Sequence, residues 1–207
     1  MKYSSIAFVV FGILLSINSS AQDKLSKLRT EKKIITADAP TSPYYAIQIL
    51  ALTLPPQEPE FFKNIDLARE FACADGYVRY VVGQYATFAD ANIDLEKIRS
   101  LGYNDAFVVN TRKLGAQASG FAAKKLEIDP AKTYTIQLSA FRFPVYLSYF
   151  ENVDGVMEFY MKDKIYRYCV GKHPGSVVEN ELAKLKGLGY KDAYIVELDA
   201  YLPYQIE

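Results

Sequence analysis

The sequence predicts an α+β protein: two tandem copies of one small unit, each a four-stranded antiparallel sheet with helical elements on one face. Three observations predict it. The chain repeats itself at a period of about 88 residues, too long for a solenoid repeat and short enough for a small domain. Each copy holds apolar runs that alternate with polar residues at period two, as half-buried strands do. Each copy also holds one helix bounded by cap signals at both ends.

The repeat is carried by three blocks in the same order. Phe62-Lys63-Asn64-Ile65-Asp66 returns as Phe150-Glu151-Asn152-Val153-Asp154. Arg79-Tyr80-Val81-Val82-Gly83 returns as Arg167-Tyr168-Cys169-Val170-Gly171. Leu101-Gly102-Tyr103-Asn104-Asp105-Ala106-Phe107-Val108-Val109 returns as Leu188-Gly189-Tyr190-Lys191-Asp192-Ala193-Tyr194-Ile195-Val196.

Each copy opens on a strand, 45–51 or 134–140. Alternation sets Ile47 and Ile49 against Gln48, and Ile136 and Leu138 against Gln137 and Ser139. A proline-containing stretch follows, Leu54-Pro55-Pro56 or Phe143-Pro144, too short and irregular for a full helix. Phe62 and Phe150, each followed by an apolar Ile65 or Val153, are expected in the core, and the nearby Asn64 and Asn152 in turns.

A hairpin comes next. Strands over 67–73 and 77–83 are joined by Ala74-Asp75-Gly76, the favoured chemistry for a tight turn. The second copy pairs 156–161 with 165–171 through Lys162-Asp163-Lys164. Helices then start at Thr87-Phe88-Ala89-Asp90 and Ser176-Val177-Val178-Glu179, both read as capping boxes. They carry Leu95, Ile98 and Leu101, or Leu182, Leu185 and Leu188, on one face, and end at Gly102 or Gly189. A last strand over 106–110 or 193–198 closes each unit. The order strand, vestigial helix, strand, strand, helix, strand is that of a ferredoxin-like sandwich, with the second sheet face left to water.

The ends and the composition bound the rest. Lys2, an apolar run from Ile6 to Ile17 and the small residues Asn18-Ser19-Ser20-Ala21 describe a secretory signal peptide cleaved after Ala21. The run is shorter than the roughly 20 residues a membrane span requires. The expected organisation is therefore a signal peptide (1–21), an N-terminal extension or tether (22–43), a first domain (44–111), a flexible linker (112–131) in which 121–126 could form a short helix, a second domain (132–199) and a tail (200–207). The predicted location is periplasmic or secreted.

Basic and acidic residues balance at 24 each, so the excess that neutralises nucleic-acid phosphates is missing. There are 17 Tyr and no Trp, which makes Tyr the main aromatic available for core, interface or sugar stacking. Cys73 and Cys169 occupy non-equivalent repeat positions, so neither copy holds its own disulfide; one bridge between the halves or two unpaired thiols remain, the second favoured. His173, the lone histidine, has no Cys or acidic company in the sequence around it. With no nucleophile motif, phosphate-cradling loop or ligand cluster, neither catalysis nor a metal or other cofactor is expected.

The opening Tyr-x-Ile-Gln strand, the Arg-Tyr-x-Val-Gly strand and the helix end Leu-Gly-Tyr-x-Asp-Ala-aromatic-Val resemble the sporulation-related repeat, or SPOR domain, over roughly 43–111 and 132–199. The resemblance implies a non-catalytic cell-envelope protein that binds septal peptidoglycan, in particular glycan strands stripped of stem peptides, on the exposed sheet face. Two departures stand out. The first helix is replaced by proline-rich sequence. The polar-aromatic end of strand one survives only in the second copy, as Ser139-Ala140-Phe141, against Leu50-Ala51-Leu52 in the first. Glycan binding is therefore expected of the second copy more than of the first.

Alternation nominates Gln48 and Arg79 on the open face of the first copy, and Gln137, Ser139, Arg167 and Cys169 on that of the second. Amide, hydroxyl and guanidinium groups beside Tyr rings supply what a neutral glycan needs. The competing reading is a solvated strand face, the default for antiparallel sheets. A second functional reading keeps the same faces but gives them polypeptide partners, as an envelope scaffold.

Overall fold

The computed structural model describes residues 25–117 and 126–206; the expected signal peptide and most of the expected linker helix lie outside these. The strands are β1 (Lys33–Thr36), β2 (Tyr45–Leu52), β3 (Leu67–Ala72), β4 (Val78–Tyr85), β5 (Phe107–Asn110), β6 (Thr133–Phe141), β7 (Val156–Tyr160), β8 (Tyr166–Pro174) and β9 (Tyr194–Glu197). The helices are α1 (Phe88–Ser100), α2 (Gly175–Gly187) and a single turn, α3 (Leu198–Tyr201). The vestigial first helices are 3-10 turns, Pro59–Phe61 and Leu147–Tyr149.

Pairing repeats between the halves. β2 lies between β5 and β4, and β3 pairs with β4; β6 lies between β9 and β8, and β7 pairs with β8. The halves do not form two separate sheets, however. β1 runs parallel to β3 along Lys33–Thr36 and bridges antiparallel to β6 where Ile35 faces Phe141, so nine strands make one sheet. The segment expected to be a tether is thus the strand that joins the halves. Its sequence, Lys33-Ile34-Ile35-Thr36, has the β-branched content of a strand, but its partners are distant in the chain.

Consecutive residues of a strand point to opposite faces, and β1 uses both. Ile34 enters the core beneath α1, with Ile47, Ile49, Phe62, Tyr80 and Leu95. Ile35 packs against the core beneath α2, with Ile136, Phe141, Phe150, Tyr168 and Leu185. The two helices therefore cover opposite faces of the joined sheet. The stretch after β6 strengthens the joint: Phe143 inserts into the first core, its ring 6.5 Å from Phe62, and Arg142 clasps Glu70 of β3 through Nε at 3.0 Å and a second, shorter bond. Glu70 also accepts from the Tyr80 hydroxyl at 2.8 Å. The second half repeats the motif, Glu158 accepting from Tyr168 at 2.7 Å and pairing with Arg29 of the N-terminal segment at 2.8 Å.

Local signals hold in most places. Thr87 and Asp90 form both bonds of a capping box, and Gly102 and Gly189 adopt left-handed backbone after their helices. Asn64 and Asn152 turn the chain at positive φ, and Phe62 and Phe150 are buried. Gly83 and Gly171 also have positive φ, and a Cβ at either would collide with the ring of Tyr85 or of His173 two residues on. The second capping box does not form. α2 begins two residues early, at Gly175, which has no room for a side chain against the Asp129–Pro130 backbone and donates its N–H to Lys132 at 3.0 Å. That contact moves Ser176 from the cap into the first turn.

Candidate functional site

The six nominated residues fall into three environments. Gln48 and Arg79 share the sheet face away from α1, since Gln48 lies opposite Val81 and Arg79 lies opposite Phe71 and Ala51. Both line a cleft of about 550 Å³ bordered by Asp75, Phe107, Asn110 and Lys113. Arg79 holds Asp75 through two bonds, 2.8 and 2.5 Å, and lies over the Tyr77 ring at 5.6 Å. The guanidinium keeps the Asp75 carboxyl well below its ordinary range, at about 2. Phe107, 48% exposed, presents an apolar ring beside this pair.

Gln48 is 8% exposed, and its amide has no hydrogen-bond partner among the described residues. That amide is not sealed off but reaches the cleft, where a ligand can take the place of water as its hydrogen-bond partner. This feature distinguishes the site most sharply. It offers one donor group and one acceptor in a plane, next to a charged donor fork and an aromatic surface.

The equivalent face of the second half is closed. After β9 the chain turns directly into α3 and lays Tyr201 and Tyr204 across the sheet, against Phe159, Met161 and Cys169. The end of the chain then pairs with β7, Phe159 bridging to Gln205 and Ile206 donating to Glu158 at 2.9 Å. Gln137, 2% exposed, gives its amide N–H to Tyr194 at 2.7 Å and accepts from the Tyr201 hydroxyl at 2.9 Å. Arg167, 1% exposed beneath this cover, grips Asp163 of the exposed hairpin turn at 2.9 and 2.6 Å. Cys169 is fully covered, and burial pushes its thiol above the ordinary range. The expectation that these residues form an open face is overturned by the C-terminal segment, which alternation within the strands could not reveal.

Ser139 is displaced for a different reason. A bulge between Gln137 and Ser139 sets Ser139 opposite Tyr168, whose ring belongs to the core beneath α2. One extra residue in a strand reverses the faces beyond it. The first copy has the same bulge between Gln48 and Leu50, which leaves Ala51 beside Arg79. Ser139 instead lines a separate cleft where the halves meet.

In the first half the corresponding cover is smaller. A 3-10 turn, Thr111–Lys113, follows β5; Leu114 and Ala116 then pack near Phe71 and Cys73, and Gln117 donates to Ala72 at 2.8 Å. This strip borders the cleft of Gln48 and Arg79 without filling it. Cys73 and Cys169 are both free and buried. Among the described residues no helix is long and apolar enough to cross a membrane, and no group of His, Cys, Asp and Glu could hold a metal ion. No family model, curated protein or solved structure matches the chain.

Proposed function

We propose that the chain is an exported, non-catalytic glycan-binding protein built from two SPOR-like repeats of ferredoxin-like type, and that it binds peptidoglycan strands through the first half. The observation that carries this reading is the Gln48 amide, unbonded within the described residues and open to the cleft beside the Arg79–Asp75 pair and the Phe107 ring. Sugar hydroxyls both donate and accept, so they suit an amide that offers one of each, while the apolar face of a pyranose suits an exposed ring. The sealed second half acts as a scaffold that fixes β1 and, through it, the edge of the first sheet.

The test is retention on purified sacculi, with and without amidase treatment to strip the stem peptides. Enrichment on treated sacculi that is lost in Gln48→Ala/Arg79→Ala supports the reading; no enrichment, or enrichment that the double variant leaves intact, overturns it. One observation favours a polypeptide partner instead. β5 is the outermost strand of the sheet beside this cleft, and an outer strand accepts an added strand. A stoichiometric protein that co-purifies, without sacculus retention, would select that alternative.

A further inference from the structure

A second cleft, of about 540 Å³, opens where the halves meet, on the face that carries α2. It is bounded by the end of β1 and the residues after it, by Arg69 of β3, by the middle of β6 and by the loop from α2 to β9. It lies on the other side of the joined sheet from α1, and nothing in it depends on the glycan reading.

Arg69 sets this cleft apart. The other six arginines each have a guanidinium partner: Arg29 has Glu158, Arg79 has Asp75, Arg99 has Glu96, Arg142 has Glu70, Arg167 has Asp163, and Arg112 lies 4.0 Å over Tyr44. Arg69 has no hydrogen bond, ion pair or ring against its guanidinium among the described residues, although it is half-buried. Burial lowers its pKa, and the Asp192 carboxylate, whose charge works against that shift, lies beyond ion-pair distance. A partly desolvated guanidinium without an anion is a costly arrangement that a carboxylate relieves through two parallel bonds.

The strand beside it carries a matching gap. β6 pairs with β9 through Gln137 and meets β1 at Phe141, so no strand lies against Leu138, Ser139 and Ala140 on that side. Three residues of strand span about 10 Å. Asp38 and Asp192 also line the cleft, as do Lys186 and Lys191. This mixture of charges suits a ligand with one carboxylate and several N–H donors, and it makes inorganic phosphate the competitor that the test has to exclude.

We infer that this cleft binds a short extended peptide through its free C-terminal carboxylate, the carboxylate on Arg69 and the peptide backbone along Leu138–Ala140 of β6. Strand addition and terminal-carboxylate capture are both established modes of peptide recognition. The site takes one residue from the first half and its remaining wall from β1 and the second, so it exists only because β1 joins the two.

The probe is acetyl-Ala-Ala-Ala with a free carboxylate, titrated into the full-length chain by calorimetry or NMR, alongside the same peptide as its C-terminal amide. The acid is expected to bind at least about tenfold more tightly than the amide, the scale of charge-assisted hydrogen bonds. Arg69→Gln should erase that preference, whereas Lys191→Gln should keep it. Equal binding of acid and amide, no binding of either at millimolar concentration, or a preference that survives in Arg69→Gln would overturn the inference. Inorganic phosphate that competes as well as the peptide would mark a simple oxyanion site and overturn it too. If Arg69→Gln does not fold, the acid–amide comparison in the unaltered protein still decides.

Discussion

Two arginine–aspartate pairs, one in each half, have nearly the same geometry and opposite surroundings. Arg79 and Asp75 stand at the rim of an open cleft; Arg167 is buried, with two tyrosines laid across its sheet face, and reaches Asp163 at the exposed hairpin turn. The strands that present them have the same order and the same bulge. What differs is the chain that leaves the last strand of each half. After β5 it borders the sheet face, and after β9 it crosses it. The Tyr194 and Tyr201 hydroxyls give Gln137 the hydrogen bonds that Gln48 lacks. Duplication supplied two equivalent surfaces, and the connecting segments left one available.

The joint between the halves should show the largest effect. Arg142→Ala would leave Glu70 buried without its cation, and removal of one partner of a buried pair costs about 3–5 kcal/mol. Denaturant unfolding should show that loss, and a cost under about 1 kcal/mol would mean that the halves do not depend on this clasp. Next is the cover of the second half. Tyr201→Ala removes a buried ring and its bond to Gln137, for about 3 kcal/mol, whereas Leu114→Ala, in the thinner strip of the first half, should cost about 1 kcal/mol. Equal losses would erase the distinction between a sealed and an open face.

Binding should separate the halves in the opposite sense. Gln48→Ala should weaken sacculus retention and change stability by less than about 0.5 kcal/mol, because its amide bonds nothing in the protein. Gln137→Ala should leave retention unchanged and cost about 1–2 kcal/mol, since the buried Tyr201 hydroxyl loses its acceptor and Tyr194 keeps only its bond to Asp38.

The smallest effect is on pH dependence. The Asp75 carboxyl is depressed to about 2, so its bond to Arg79 is complete above the ordinary carboxylate range near 4 and is lost as pH falls through 2. Retention should be flat from about pH 5 to 8 as far as this pair governs it. A titration centred near 6 would assign control to another group.

Much of this was legible in the sequence. The hairpins, α1 with its Thr87–Asp90 cap, the glycine stops and the buried Phe62 and Phe150 follow from interactions within about a dozen residues, where spacing and turn chemistry dominate. Alternation set Gln48 and Arg79 on one sheet face because the extra residue in each of their strands comes after them. Ser139 was misplaced because a bulge leaves no mark in an apolar pattern. Arg69 escaped notice because its importance lies in what is not beside it.

The sequence by itself determined the repeat, the order of elements in each half and the residues that face each core, since these rest on local periodicity and on apolar side chains leaving water. Only the tertiary structure decided that β1 would fuse two sheets into one, with the helices on opposite faces, and that one polar face would be sealed and its counterpart left open. Those outcomes depend on partners more than 30 residues apart, Ile35 with Phe141, Arg142 with Glu70 and Tyr201 with Gln137. Their free energy is gained only once the chain has closed on itself.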